Sequence, residues 1–313
     1  MGDDDLSERL VDSINEVYGV HPGYRAAHAK GVLCSATFTP SSQAPGLSRA
    51  AHLAGGEDVR AHVRFSNAAG DPTVPDTAQD VRGMAVKFYL PDATTDIVAI
   101  SLPAFFVRIP EDLLAFNEAR RTDPATGQPD LGRVGDYLSA HPEAMAAVEA
   151  FVSHPIPASY AKLTYHGLHA LGFVGADDVV RYGRYRLVPE GGEETLGADD
   201  VSGRGPDFLR DELSERLVRE PAIFYLEVQL AGEGDPLDDP TAVWPDTREV
   251  VELGRLAVTA LAFDREHDDD VLVFDPTRLT DGIRLSDDPV LHARSGAYSV
   301  SVARRTGSTD RRL

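Results

Sequence analysis

The chain has 313 residues, 42% of them hydrophobic, and its 51 acidic against 30 basic side chains give a net charge of −21. That length and composition supply apolar material for one sizeable core, and the acidic balance opposes binding to nucleic acid or to an anionic membrane surface. A single cysteine, Cys34, excludes an intramolecular disulfide and any site made of several thiolates.

The first residues, Met1 to Asp5, are acidic and show no basic segment followed by an apolar core, and no apolar run along the chain is long enough to span a bilayer. A cytoplasmic protein is expected. Leu6, Leu10, Val11, Ile14, Val17 and Tyr18 recur at helical spacing and predict an N-terminal helix within residues 1–20, stopped by Gly19. His21-Pro22-Gly23 is a turn, Arg25 to Gly31 follows it, and the sequence then becomes β-rich. Along Val59–Ser66 the apolar Val59, Ala61, Val63 and Phe65 alternate with Arg60, His62, Arg64 and Ser66. Such a strand is either half-exposed or lines a polar pocket.

Further strands are predicted at Met84–Tyr89, Asp96–Ser101, Ala104–Arg108, Leu168–Val174, Tyr185–Val188, Ile223–Leu230 and Leu253–Phe263, and helices at Glu111–Arg121, Gly132–Phe151 and Leu209–Arg219. Pro289 behind Asp287 and Asp288 opens a last helix. Acidic clusters at Asp3 to Asp5, Asp238–Asp239 and Asp268 to Asp270 read as solvated loops or ends. No repeat or linker divides the chain. The expectation is one α+β domain over residues 1–313, an antiparallel barrel or sandwich of short strands with peripheral helices and a disordered tail at 306–313.

Phosphate-binding loops, Gly-x-Ser-x-Gly elbows and paired Cys-x-x-Cys motifs are absent. Three separated segments carry chemistry instead. In Tyr24-Arg25-Ala26-Ala27-His28-Ala29-Lys30-Gly31, small residues around a histidine allow close approach of a flat ligand, with Arg25 near for an anion. Taken alone, a histidine beside apolar sequence is more often structural. In the second, Arg64 and Ser66 share a strand face, followed by Asp80-Val81-Arg82-Gly83 and Lys87-Phe88-Tyr89; alone this reads equally as a surface strand and a loop held by an Asp–Arg pair. In the third, Arg294 and Tyr298 stand four apart and Arg305 seven further on, all on one helix face. A guanidinium one turn from a phenol stabilises phenolate, a hard ligand suited to ferric iron; alone, the segment also reads as an ordinary amphipathic helix.

In this order, together with Asp96-Ile97-Val98, Pro103-Ala104-Phe105-Phe106-Val107-Arg108, Val243-Trp244-Pro245 and Phe274-Asp275-Pro276, the segments resemble the catalase family from about His21 to Arg305. The length resembles that of the small catalase-related peroxidases. The resemblance implies an antiparallel barrel of about eight strands and bound haem b, with Tyr298 as axial iron ligand and Arg294 holding it anionic. Asp288 and His169 would steady that arginine. His28 would be the distal acid–base group that drives peroxide heterolysis to a ferryl intermediate, with Ser66 fixing its tautomer. Arg25, Arg64 and Arg305 would bind the haem propionates, and Phe105 would wall the distal pocket.

One position departs from the family pattern: Ile100 stands where catalases carry an asparagine that donates to peroxide. An isoleucine donates nothing, and losing such a donor costs about two orders of magnitude in rate. The expected activity is therefore peroxidase, with hydrogen peroxide or an organic hydroperoxide as oxidant and a small organic donor. Weak catalase activity, hydroperoxide rearrangement of the allene-oxide-synthase type and a non-enzymatic haem module are the alternatives. A monomer or homodimer is expected. Cys34 is read as a small buried thiol rather than a haem ligand, and the pair His166 and His169 lacks a third metal ligand.

Overall fold

The computed structural model describes residues 3–123, 125–263 and 271–307. The acidic cluster at Asp268 to Asp270 and residues 308–313 of the expected tail lie outside the described residues. Ten strands form one antiparallel sheet: β1 (Gly31–Pro40), β2 (Val59–Asn67), β3 (Arg82–Tyr89), β4 (Thr94–Ile100), β5 (Tyr165–His166), β6 (Leu171–Val174), β7 (Val180–Pro189), β8 (Ala222–Leu230), β9 (Val250–Leu261) and β10 (Ile283–Leu285). Eight of them close into a barrel in the order β1-β2-β3-β4-β5-β7-β8-β9, with β9 returning to β1. β6 and β10 extend from the edge of β7 that β5 leaves free. Closure pairs both edges of the long strands, which removes the exposed ladder groups that an open sheet would present.

Period-two alternation fixes which face is core. Cys34, Ala36 and Phe38 of β1, Ala61, Val63 and Phe65 of β2, and Met84, Val86 and Phe88 of β3 all enter the main core cluster. Phe65 stacks on Tyr160 at 5.5 Å between ring centroids and packs against Phe224 at 6.0 Å. The alternate residues of β2 and β3 lie on the outer face. The register places Leu33 beside Arg64, Arg64 beside Ala85, Ser66 beside Gly83, and Gly83 beside Ile100. Arg64 and Ser66 are each only 4% exposed, so this strand face lines a pocket rather than meeting solvent.

Among the described residues eight helices lie around the sheet: α1 (Asp3–Tyr18), α2 (Ala44–Leu47), α3 (Pro110–Arg120), α4 (Leu131–Ala140), α5 (Met145–Val152), α6 (Ala198–Ser202), α7 (Phe208–Arg219) and α8 (Pro289–Thr306). α1 packs on both α3 and α8, bringing the two ends of the described chain together. α8 extends to Thr306, one residue into the segment expected as tail.

The strand expected at Tyr185–Val188 runs longer, from Val180 to Pro189, and three other expected elements differ. The single helix expected at Gly132–Phe151 is two helices, because Pro142 cannot continue α4; a 3-10 turn at Pro142–Ala144 intervenes. Ala104–Arg108 is not a strand but a series of bends: the Phe105 amide donates to the Pro240 carbonyl instead of a ladder partner. The strand expected at Leu168–Val174 begins only at Leu171. Among the described residues no helix is long and apolar enough to cross a membrane.

Candidate active site

The loop from α1 to β1 delivers His28 in the left-handed region, at φ 55°. That backbone is unfavourable for a side chain with a Cβ, and surrounding bonds hold it there. The His28 amide donates to the Ala68 carbonyl at 3.0 Å, the Ala29 amide to the Ala69 carbonyl at 3.1 Å, and Arg64 donates to the His28 carbonyl at 3.0 Å. The imidazole Nδ1 shares a hydrogen bond of 2.9 Å with Ser66 Oγ. Two glycines make room for this packing. A Cβ on Gly83 would sit 2.8 Å from the His28 ring and from Ser66 Oγ, and one on Gly31 would sit 2.7 Å from the Arg64 guanidinium. Burial first, then the charges of Arg64, Arg25 and Arg294, push the pKa of His28 down to about 3. The imidazole is neutral at physiological pH.

α8 supplies the second group. Its N-cap Asp288 accepts from the Val290 and Leu291 amides, with Pro289 in the first turn. The other Asp288 oxygen accepts from His169 Nδ1 at 2.6 Å, and Arg294 Nη1 donates to His169 Nε2 at 3.0 Å. One turn further along α8, Tyr298 Oη accepts from Arg294 Nε at 3.1 Å and from Nη2 as well. Asp288, His169, Arg294 and Tyr298 thus form one connected chain of hydrogen bonds. Burial leads the effects on His169 and lowers its pKa, which keeps Nε2 an acceptor for the guanidinium.

His28 and Tyr298 line the same cavity, between the outer face of β2–β4 and helices α1 and α8. Arg25, Arg64, Ser66, Arg294 and Arg305, each expected at the site, line it too. Arg25 also donates to the Leu272 carbonyl at 3.1 Å. Phe105 does not line the cavity. With its segment bent rather than extended, its ring lies 6.3 Å from that of Phe106, which stacks on Phe116. Ile100 is likewise not among the lining residues; it pairs with Gly83 and His166 in the sheet.

Sequence reading missed several walls of the cavity: Val11 and Ile14 from α1, and Val273 and Phe274 from the loop before β10. The apolar face of α1 was visible in its periodicity, but nothing in the sequence says what that face covers. Cys34 sits in the barrel core, where burial pushes its thiol up to about 12, so it is no cavity ligand. Both His169 nitrogens are engaged by Asp288 and Arg294, which leaves neither for a metal shared with His166.

This residue set fits a flat iron-bearing macrocycle. Small side chains (Ala26, Ala27, Ala297 and Ser301) line the walls, a phenol oxygen backed by a guanidinium offers a hard anionic ligand, and Gly83 leaves the space that the His28 ring fills. Three further guanidinium groups converge on the cavity in a chain that is otherwise strongly acidic, as binding of carboxylates requires.

The sequence model of the catalase family matches residues 11–313. A protein named catalase-related peroxidase from Mycolicibacterium paratuberculosis is 44% identical over 302 residues, covering 96% of this chain and 95% of that protein. Another of the same name from Synechococcus elongatus is 34% identical over 300 residues, covering 96% and 88%. Among solved structures, a fungal catalase superposes with a TM-score of 0.83 at 24% identity, and catalase A from Saccharomyces cerevisiae with 0.83 at 23%. They share the fold, and this chain spans 60% and 62% of their respective lengths. The chain belongs to the catalase family.

Proposed function

We propose that the chain is a haem-dependent peroxidase, reducing hydrogen peroxide or an organic hydroperoxide to water or the alcohol at the expense of a small organic donor. Its catalase-related relatives support a peroxide-reducing enzyme. The observation that carries the reading is the pairing of a neutral, serine-bonded histidine with an arginine-backed tyrosine on the walls of one cavity.

Haem b, for which Tyr298 Oη would be the iron ligand, would supply the redox chemistry of O–O cleavage. Arg25, Arg64 and Arg305 would hold its propionates, and the two Arg294 donors to Tyr298 Oη stabilise charge on that oxygen. Ser66 Oγ accepts from His28 Nδ1–H, so the Nε2 lone pair faces the substrate. Nε2 takes the proton from the incoming peroxide oxygen and returns it to the departing one, and its low proton affinity favours that return. The apolar part of the lining (Val11, Ile14, Val98, Phe274) excludes bulk water and admits a hydrocarbon substituent on the hydroperoxide. The β4 residues that line the cavity, Val98 and Ala99, carry no side-chain donor with which to orient a second peroxide as reductant, which disfavours dismutation.

An oxygen electrode tests the reading on haem-loaded enzyme given peroxide with and without a phenolic donor. Donor oxidation with little oxygen release is expected. Rapid oxygen release without donor would identify a small catalase instead, and failure to retain haem would remove the basis of the proposal.

A further inference from the structure

A second group of ligand-type side chains lies on the helical lobe, and none of its residues lines the cavity. Asp112 stands in the first turn of α3, His141 ends α4, and Glu143 follows in the 3-10 turn imposed by Pro142. His141 Nδ1 is 3.1 Å from Glu143 Oε1 and 3.8 Å from Asp112 Oδ2, and one ligand atom from each residue lies within 4.8 Å of the others. The three side chains are 24%, 29% and 21% exposed for His141, Glu143 and Asp112, open enough for an ion to enter.

An independent observation comes from Tyr137. Its side chain is 7% exposed, and its hydroxyl is fully buried with no hydrogen-bond partner. The ring stacks on His141, with centroids 4.3 Å apart and 19° between planes. The hydroxyl lies in the field of the Asp112 and Glu143 carboxylates. Buried hydroxyls are rarely left without a partner. An ion pair between His141 and the carboxylates alone gives the phenol none, whereas an ion with a water in its shell does.

We propose that Asp112, His141 and Glu143 bind one divalent cation of the Zn2+ type, with Tyr137 donating to a water in its coordination shell. One imidazole nitrogen and two carboxylate oxygens, completed by water, make a ligand set suited to Zn2+, while Mg2+ and Ca2+ favour oxygen-only shells. The two carboxylates neutralise the dication, and the ion ties the start of α3 to the end of α4. Tyr137 packs on Phe116 at 5.4 Å, and Phe116 stacks on Phe106 at 5.1 Å, so the tie reaches the bent segment that follows β4.

The test is calorimetric titration of Zn2+ into chelator-treated full-length protein, with thermal melts in parallel. One site per chain and a raised melting temperature are expected, both lost in His141→Ala and in Asp112→Asn. Tyr137→Phe should weaken binding about tenfold, as loss of an outer-shell partner does. The Asp112→Asn variant should retain wild-type peroxide turnover when haem-loaded, which separates this site from the cavity. No Zn2+ binding by the wild type, or equal stoichiometry and affinity in wild type and both ligand variants, would overturn the proposal.

Discussion

At His28 the side chain, its backbone and its neighbours are fixed by different parts of the sequence. The left-handed φ of 55° is held by bonds to Ala68 and from Arg64, and the ring has its place because residue 83 carries no Cβ. Gly83→Ala should therefore act twice: it should cost about 1–3 kcal/mol of stability through overpacking, read by denaturant unfolding, and it should displace the imidazole enough to slow peroxide consumption. His28→Gln should lower peroxide turnover by roughly 10²–10⁴-fold while haem retention, followed by absorbance, stays at wild-type level. Unchanged turnover in His28→Gln would sink the assignment of His28 as the proton carrier. That the expected site residues converge was legible from their types in combination: His28, Ser66, Arg294 and Tyr298 line one cavity. Gly83 was quoted within a motif, but its role was not legible, since a missing atom matters only relative to a ring 55 residues away in sequence.

Helix α8 couples its own stability to the site through one carboxylate. Asp288 caps the helix with one oxygen and holds His169 with the other. Asp288→Ala should cost about 1–2 kcal/mol from the cap alone, whereas Asp288→Asn should largely keep the cap but lose the charge facing His169. Comparing thermal melts with the absorption spectrum of the haem-loaded variants separates the two: in Asp288→Asn the spectrum should shift more than the melting temperature does. Equal behaviour of Ala and Asn variants in both readouts would contradict the division of labour. A second element-scale anchor joins the strands to the cavity loop. Lys87 of β3 donates to Asp96 of β4 at 2.6 Å, both essentially buried, and Asp96 also accepts from Arg278 and from the Asp275 amide. The loop so pinned carries Phe274, over which Lys87 sits at 5.5 Å. Lys87→Met, which leaves Asp96 buried with two of its three partners, should destabilise by about 1–3 kcal/mol, measured by urea unfolding. Helices and strands were legible wherever period and length agreed, as along β2 and α7. They were not where a two-residue strand such as β5 leaves no period to read, or where Pro142 breaks a run that otherwise looks continuous.

Over the whole molecule, neutral imidazoles shape the acid limit of stability. His52 is 1% exposed, stacks on Phe88 at 4.9 Å, and has a pKa pushed down to about 4 by burial. In the unfolded chain it titrates near 6.5. Above that value neither state is protonated and His52 contributes no pH dependence. As pH falls from about 6.5 toward 4 only the unfolded chain gains the proton, so folding stability is lost through that window. At pH 5 the loss from His52 amounts to about 2 kcal/mol. His52→Phe should flatten the stability–pH curve between pH 7 and 5 by that amount, and an unchanged slope would show the group to be charged in the fold. Barrel closure was legible only through the family resemblance. Alternation tells which face of a strand is buried, but not that β9 returns to β1.

The residues around the cavity run from Val11 to Arg305, nearly the full length of the chain, and the two helices that close it come from opposite ends. During synthesis His28 is therefore made long before Tyr298, and a nascent chain that stops short of α8 lacks one wall of the cavity. On the proposed function, cofactor capture would wait until α8 is made and docks beside α1, so reactivity toward peroxide would arise in a single late event rather than piecemeal.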